Sequence, residues 1–205
     1  MEKLIGKNKL YEEQVVILKD ILFKNEDLKK LLQILENSEI SKYPYYVAAG
    51  CINQTVFNYY HNFDINNGIK DYDIVYYDLD TSYEAEDKII KSIMPLIKDL
   101  NIKVDIKNEA RVHLWYKDKF GTDIKPYDNL EEAVASWGAT VTCVGVRLEN
   151  GTLKVYAPYG LNDIFNGIIR PLKENGYKED RYLEKSTRWK SIWANLLVIP
   201  WNDEN

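Results

Sequence analysis

Val15, Leu18, Ile21 and Leu22, followed by Leu28, Leu31, Leu32 and Leu35, recur three and four residues apart, with polar Asn25 between the two series. That period places each series on one face of a helix, so the opening segment predicts two amphipathic helices broken near Asn25. The pattern then changes. "YYVAAG" is a compact apolar run ending in Gly50 and predicts a short strand, a tight glycine turn and, through "CINQTVFNYYHNF", a helix that starts directly after the turn. "YDIVYY" is rich in aromatic and β-branched residues and predicts a second strand. "DTSYEAEDKIIKSIMPLIKDL" predicts a helix opened by a capping box at Thr81 and Glu84 and kinked or split at Pro95.

Strict alternation returns in "NIKVDIK", where Ile102, Val104 and Ile106 share one face and Lys103, Asp105 and Lys107 the other. This is a half-buried strand with a carboxylate between two lysines. "EARVHLWYKDK" and "DNLEEAVASW" predict helices, the second opened by Asp128 and Glu131. "TVTCVGVRLENGTLKVYAP" predicts a hairpin turning at Asn150-Gly151, and the tail predicts a short helix at "LNDIFNGI" and a longer one around "RYLEKSTRWKSIWANLL". Interleaved helices and strands make the class α+β or mixed α/β. No repeat or Gly/Ser/Pro-rich linker divides the 205 residues, so the chain reads as a single domain with helical segments at 1–42 and 171–205.

Composition narrows the function classes. The charged start "MEKLIGKNKLYEEQ" lacks the apolar centre of a secretory signal, and no apolar run approaches the roughly 20 residues that span a bilayer. Two cysteines, Cys51 and Cys143, make no disulfide framework and have no partner at zinc-ligand spacing, which implies a reducing cytoplasm. A net charge of −5 argues against a broad nucleic-acid surface while leaving room for a local basic patch.

The chemistry concentrates in "NNGIKDYDIVYYD". Residues two apart on a strand point to one side, so Asp71 and Asp73 share a face and Tyr72 points away. Two carboxylates about 4 Å apart repel by about 4 kcal/mol at an effective dielectric near 20, and a divalent cation reverses the sign. The pair is a seat for Mg²⁺ or Mn²⁺, strengthened if Asp105 lies on an adjacent strand facing the same way, since three converging carboxylates can hold metal. Acidic pairs at strand starts are also ordinary turn chemistry. Here the apolar run follows the pair instead of preceding it, and Gly50 lies upstream at a turn suited to a phosphate.

That order, together with "YYVAAGCINQTVFN", "KDYDIVYYD", "KVDIKNEARVHLWY", "VGVRLENG" and "APYGLNDIF", resembles the bacterial nucleotidyltransferase family proteins of the DNA polymerase β-like superfamily, from about Tyr43 to the tail. The resemblance implies a mixed sheet flanked by helices and a metal-dependent transfer of a nucleotidyl group from a nucleoside triphosphate to an acceptor hydroxyl, which a small molecule, RNA or protein could carry. It implies Asp71, Asp73 and Asp105 as the metal-binding and catalytic acids, and Gly50 and Cys51 at the nucleotide-phosphate turn. Cys51 departs from the serine or glycine usual after that glycine, and the gap from Gly50 to Asp71 is longer than the compact superfamily motif. A non-catalytic nucleotide- or partner-binding descendant is the alternative, and a metal-dependent phosphohydrolase a less favoured one.

Other side chains have two readings each. Lys107 could offset triphosphate charge or simply be a lysine on a strand's wet face. Arg111 could hold a phosphate bidentately or pair with Glu109 or another acid. His113 reads as a structural imidazole before a catalytic one, the stripe Arg181, Lys185 and Arg188 as a solvated helix face before a wall of the nucleotide or acceptor cleft, and Trp115, Trp137, Trp189 and Trp193 as core before base-stacking platforms.

Overall fold

The computed structural model describes residues 5–173 and 177–202. The two predicted N-terminal helices are α1 (Tyr11–Leu22) and α2 (Glu26–Glu36). Asn25 breaks them because its side chain is the cap of α2, accepting from the Leu28 amide at 3.0 Å while its own amide donates to Asn66 and Tyr72. A fully buried asparagine is tolerated here because its donors and acceptor are all used.

A five-stranded mixed sheet follows, with β1 (Tyr45–Ala48), β2 (Tyr72–Tyr76), β3 (Val104–Asn108), β4 (Gly145–Glu149) and β5 (Thr152–Tyr156) in spatial order β3-β2-β1-β4-β5. Only β2 and β3 pair in parallel, and the helix α4 (Tyr83–Ile93) makes the crossover between them. Helix α3 (Gly50–His61) connects β1 to β2, and the β4–β5 hairpin turns at Asn150 and Gly151 with φ of 50° and 71°, the double left-handed turn that Asn-Gly favours. After β3 come α5 (Val112–Phe120) and α6 (Leu130–Ala135), then α7 (Asn162–Asn166) and α8 (Glu179–Ile192) beyond the hairpin. A parallel pair not legible in the sequence, β6 (Ile168–Ile169) and β7 (Leu197–Val198), ties the tail back.

Strand alternation divides the sheet's two faces. Tyr45, Val47, Tyr72, Ile74, Tyr76 and Ile106 enter the large core shared with α1, α2, α3 and α8, whereas Tyr46, Ala48 and Val75 meet only a small cluster with Leu130 and Val134 of α6. The second face is thinly covered, and the aspartates point to it. Two caps fall one residue later than the sequence predicts: Ser82 caps α4 in place of Thr81, and Asn129 caps α6 in place of Asp128. In both cases the polar side chain immediately before the helix accepts from the amide three residues on. Among the described residues no helix is long and apolar enough to cross a membrane.

Candidate active site

On the thin face of the sheet lies a cavity of about 240 Å³. Its floor is made by alternate residues of two parallel strands, Asp73 and Val75 from β2 and Asp105 and Lys107 from β3, with Glu109 just beyond the end of β3. Asp73 and Asp105 are register partners, so the pleat presents both carboxylates side by side. Tyr72 points the opposite way, and its hydroxyl donates to Asn66 at 2.9 Å in the core layer. The alternation read from the sequence therefore holds on both strands.

Aromatic rings from α5 form one wall, with Trp115, Tyr116 and Phe120 in contact with one another. Arg181 and Lys185 of α8 form another, and the Arg181 guanidinium lies 3.7 Å from the Phe120 ring centroid. The charged stripe on α8 is thus not a solvated face: its first two cations line the cavity. Trp115 and Trp137 also line it; Trp115 belongs to neither core cluster and Trp137 packs half-buried against the small one, whereas Trp189 and Trp193 are fully buried as expected.

The electrostatics are those of crowded acids in a poorly hydrated place. Burial first, then the charge of Asp71, pushes the Asp73 carboxyl up to about 6, with Lys107 and Lys185 opposing. Burial alone dominates at Glu109, whose carboxyl is pushed up to about 8 against the pull of Lys107. Burial pulls the Lys185 amine down, and Asp73 partly restores it. Lys107 is the direct counter-ion of Asp105.

A sequence model of one family, described as nucleotidyltransferase, matches residues 38–198, which contain every one of these cavity residues. The chain belongs to the nucleotidyltransferase family. An NMR structure described as revealing a CCA-adding enzyme head domain is similar over 89% of this chain and 95% of that one, with a TM-score of 0.68 and 24% identity, which is a likeness of fold. No curated protein matches the chain.

In this nucleotidyltransferase the residues singled out from the sequence divide into two groups. Asp73, Asp105 and Lys107 meet in the cavity. Asp71 precedes the first residue of β2, so the pleat does not hold it to the floor, though its charge is felt at Asp73, Cys51 and Lys185. Among the described residues no three His, Cys, Asp or Glu side chains gather as a group able to hold a metal ion.

The turn before α3 also differs in detail. Ala49, not Gly50, takes the left-handed conformation, with φ 59° and ψ −128°, and Ala49 lines the cavity. The Cys51 side chain is wholly buried with its thiol donating to the Ala48 carbonyl, and burial holds that thiol well above its ordinary pKa, so the side chain is withheld from any ligand in the cavity. Arg111 lies outside the cavity. It pairs with Glu86, not Glu109, and donates to the Thr81 carbonyl, which fixes the turn after β3 against the start of α4. Glu109 is the residue that sequence reasoning passed over: its position at i+4 from Asp105, two steps along the same strand face, was the available signal.

Proposed function

We propose that the chain transfers a nucleotidyl group from a nucleoside triphosphate to an acceptor hydroxyl, releasing pyrophosphate. The observation that carries this reading is the register pair Asp73 and Asp105 at one end of a cavity whose other walls are cationic and aromatic. Carboxylates alone repel a triphosphate. Placed beside Lys107, Arg181 and Lys185, they define a site for both a cation and an anion.

The donor set fits Mg²⁺ or Mn²⁺. It consists of oxygen ligands, and no hydrogen bond contributes to the state of the Asp73 carboxyl, leaving its lone pairs for a cation. Magnesium is commonly held by one or two carboxylates together with substrate phosphates, so a closed protein cage is not required. Asp71, Asp73 and Asp105 would hold the ion, which when bound neutralises phosphate charge and keeps the carboxylates ionised. Lys107, Arg181 and Lys185 would bind the phosphate oxygens, and backbone amides at the start of α3 would add to them. The acceptor oxygen forms the new bond to the α-phosphorus, the bond from that phosphorus to the bridging oxygen breaks, and pyrophosphate carries away the electron pair. Asp105, the more exposed of the two paired acids, takes the hydroxyl proton.

The test is label transfer from each of the four nucleoside triphosphates, with Mg²⁺ or Mn²⁺, into a cell extract, read by mass. Transfer by the wild-type chain should disappear in Asp73→Asn. Asp105→Asn should lower turnover by about a hundredfold or more while nucleotide affinity falls far less, the division expected for a proton acceptor. Undiminished transfer in Asp73→Asn refutes the reading.

A further inference from the structure

Glu109 is 5% exposed, and what remains accessible faces the cavity. No hydrogen bond contributes to the state of its carboxyl, and among the described residues it makes no ion pair. A buried polar group in that condition costs about 1–3 kcal/mol, so its persistence calls for a partner that the folded chain does not itself supply.

The chain on either side of Glu109 is held in place. Asn108, nearly wholly buried, accepts from the amides of Asp78 and Ala110 and donates to the Asp78 carbonyl, while Arg111 is clamped to Glu86 and Thr81. The backbone between them is thereby fixed where Glu109 lines the cavity.

The lining identifies the partner. Glu109 lies just beyond the end of β3, in the cavity that Asp73 and Asp105 share with Trp115, Tyr116 and Trp137, whose rings present surfaces on which a heterocycle can stack.

Resting on the nucleotidyl-transfer reading, we propose that Glu109 is the base-binding residue of the cavity: its carboxyl pairs with the edge of the nucleobase while the triphosphate lies toward Asp73 and Asp105. A carboxyl kept neutral by burial presents one donor and one acceptor, which is the pattern a base edge complements. Glutamine presents the same pair at the same reach.

The experiment compares ATP, CTP, GTP, UTP and inorganic tripolyphosphate as ligands of the full chain, by calorimetry, for wild type, Glu109→Gln and Glu109→Leu. Glu109→Leu should weaken the preferred nucleotide about tenfold or more and leave tripolyphosphate unchanged, whereas Glu109→Gln keeps the preference for nucleotide over tripolyphosphate. Thermal unfolding of both variants checks that they are folded. Equal weakening of nucleotide and tripolyphosphate in Glu109→Leu, or no weakening of either, overturns the assignment while the transfer reading stands. Loss in Glu109→Gln as complete as in Glu109→Leu also overturns it, because the group then acts as a charged carboxylate. If the wild-type chain binds no nucleotide at all, both readings fall.

Discussion

Asp73 and Asp105 were legible in the sequence because strand alternation is a rule about single residues: once "YDIVYY" and "KVDIK" are strands, their acids must share a face with every second neighbour. Glu109 was not, because an acid at the start of a helical stretch is ordinary surface chemistry, and its burial depends on which helices happen to cover it. Its environment gives a prediction in stability. The native carboxyl holds its proton up to about 8, above the unfolded value near 4.5, so between those limits the native state binds more protons than the unfolded chain. Stability is therefore highest at the acid end of that window and falls as pH rises through it, by something on the order of 3 kcal/mol from this one group. Glu109→Gln should flatten the decline and make the protein more stable than wild type at pH 8, with little difference near pH 5. Urea unfolding at the two pH values measures it. Parallel profiles for the two proteins would show that the carboxyl is ionised in the native cavity at all these pH values.

At the scale of elements, the strand, turn and helix around Gly50 were all readable, but the residue that bends the chain was not. A glycine at such a junction is the natural choice because it has no Cβ, yet Gly50 has already entered α3 and a Cβ there would meet only the side-chain amide of Gln54. Ala49 carries the bend, with dihedrals close to the first central position of a type II′ turn, where glycine dominates. Such a conformation costs an alanine about 1–3 kcal/mol, and it persists because β1 and α3 fix both sides of it. Ala49→Gly relieves that strain and returns about 0.5–1 kcal/mol of it as chain entropy, so a net gain of about 1 kcal/mol is expected. Thermal or urea denaturation decides the sign. A lower midpoint for Ala49→Gly means that the alanine methyl contributes more by packing than the backbone loses by strain.

For the whole molecule, the sequence reading treated 171–205 as a helical segment attached to a domain, and the packing gives it a larger part. Trp189 and Trp193 are wholly buried in the same core as Leu18, Leu28 and Phe57, and the Trp193 indole donates to Asn58 at 2.8 Å. Asn58 in turn donates to the carbonyls of Ile65 and Asn67, in the long loop that delivers Asp71 and Asp73. A Cβ on Gly68 in that loop would already press on Ile192 and Trp193 at 3.0 and 3.1 Å. The unusually long stretch from Gly50 to Asp71 is therefore not slack: α8 is its outer support and the cationic wall of the cavity at once. Periodicity showed a charged face on that helix but not its direction, since burial of the tryptophan side is a property of the assembled core. We predict that a chain ending at Lys178 loses cooperative unfolding, because deleting α8 opens the core at its two largest side chains, and each such loss costs about 3–5 kcal/mol, a large share of a typical domain's stability. A full-length chain carrying Arg181→Met and Lys185→Met keeps those side chains and should unfold as sharply as wild type while binding tripolyphosphate more weakly. Circular dichroism during urea titration separates the two outcomes. If the truncated chain unfolds in a single transition at an unchanged midpoint, α8 is an appendage and the coupling between its tryptophans and the aspartate loop is not part of what holds the site together.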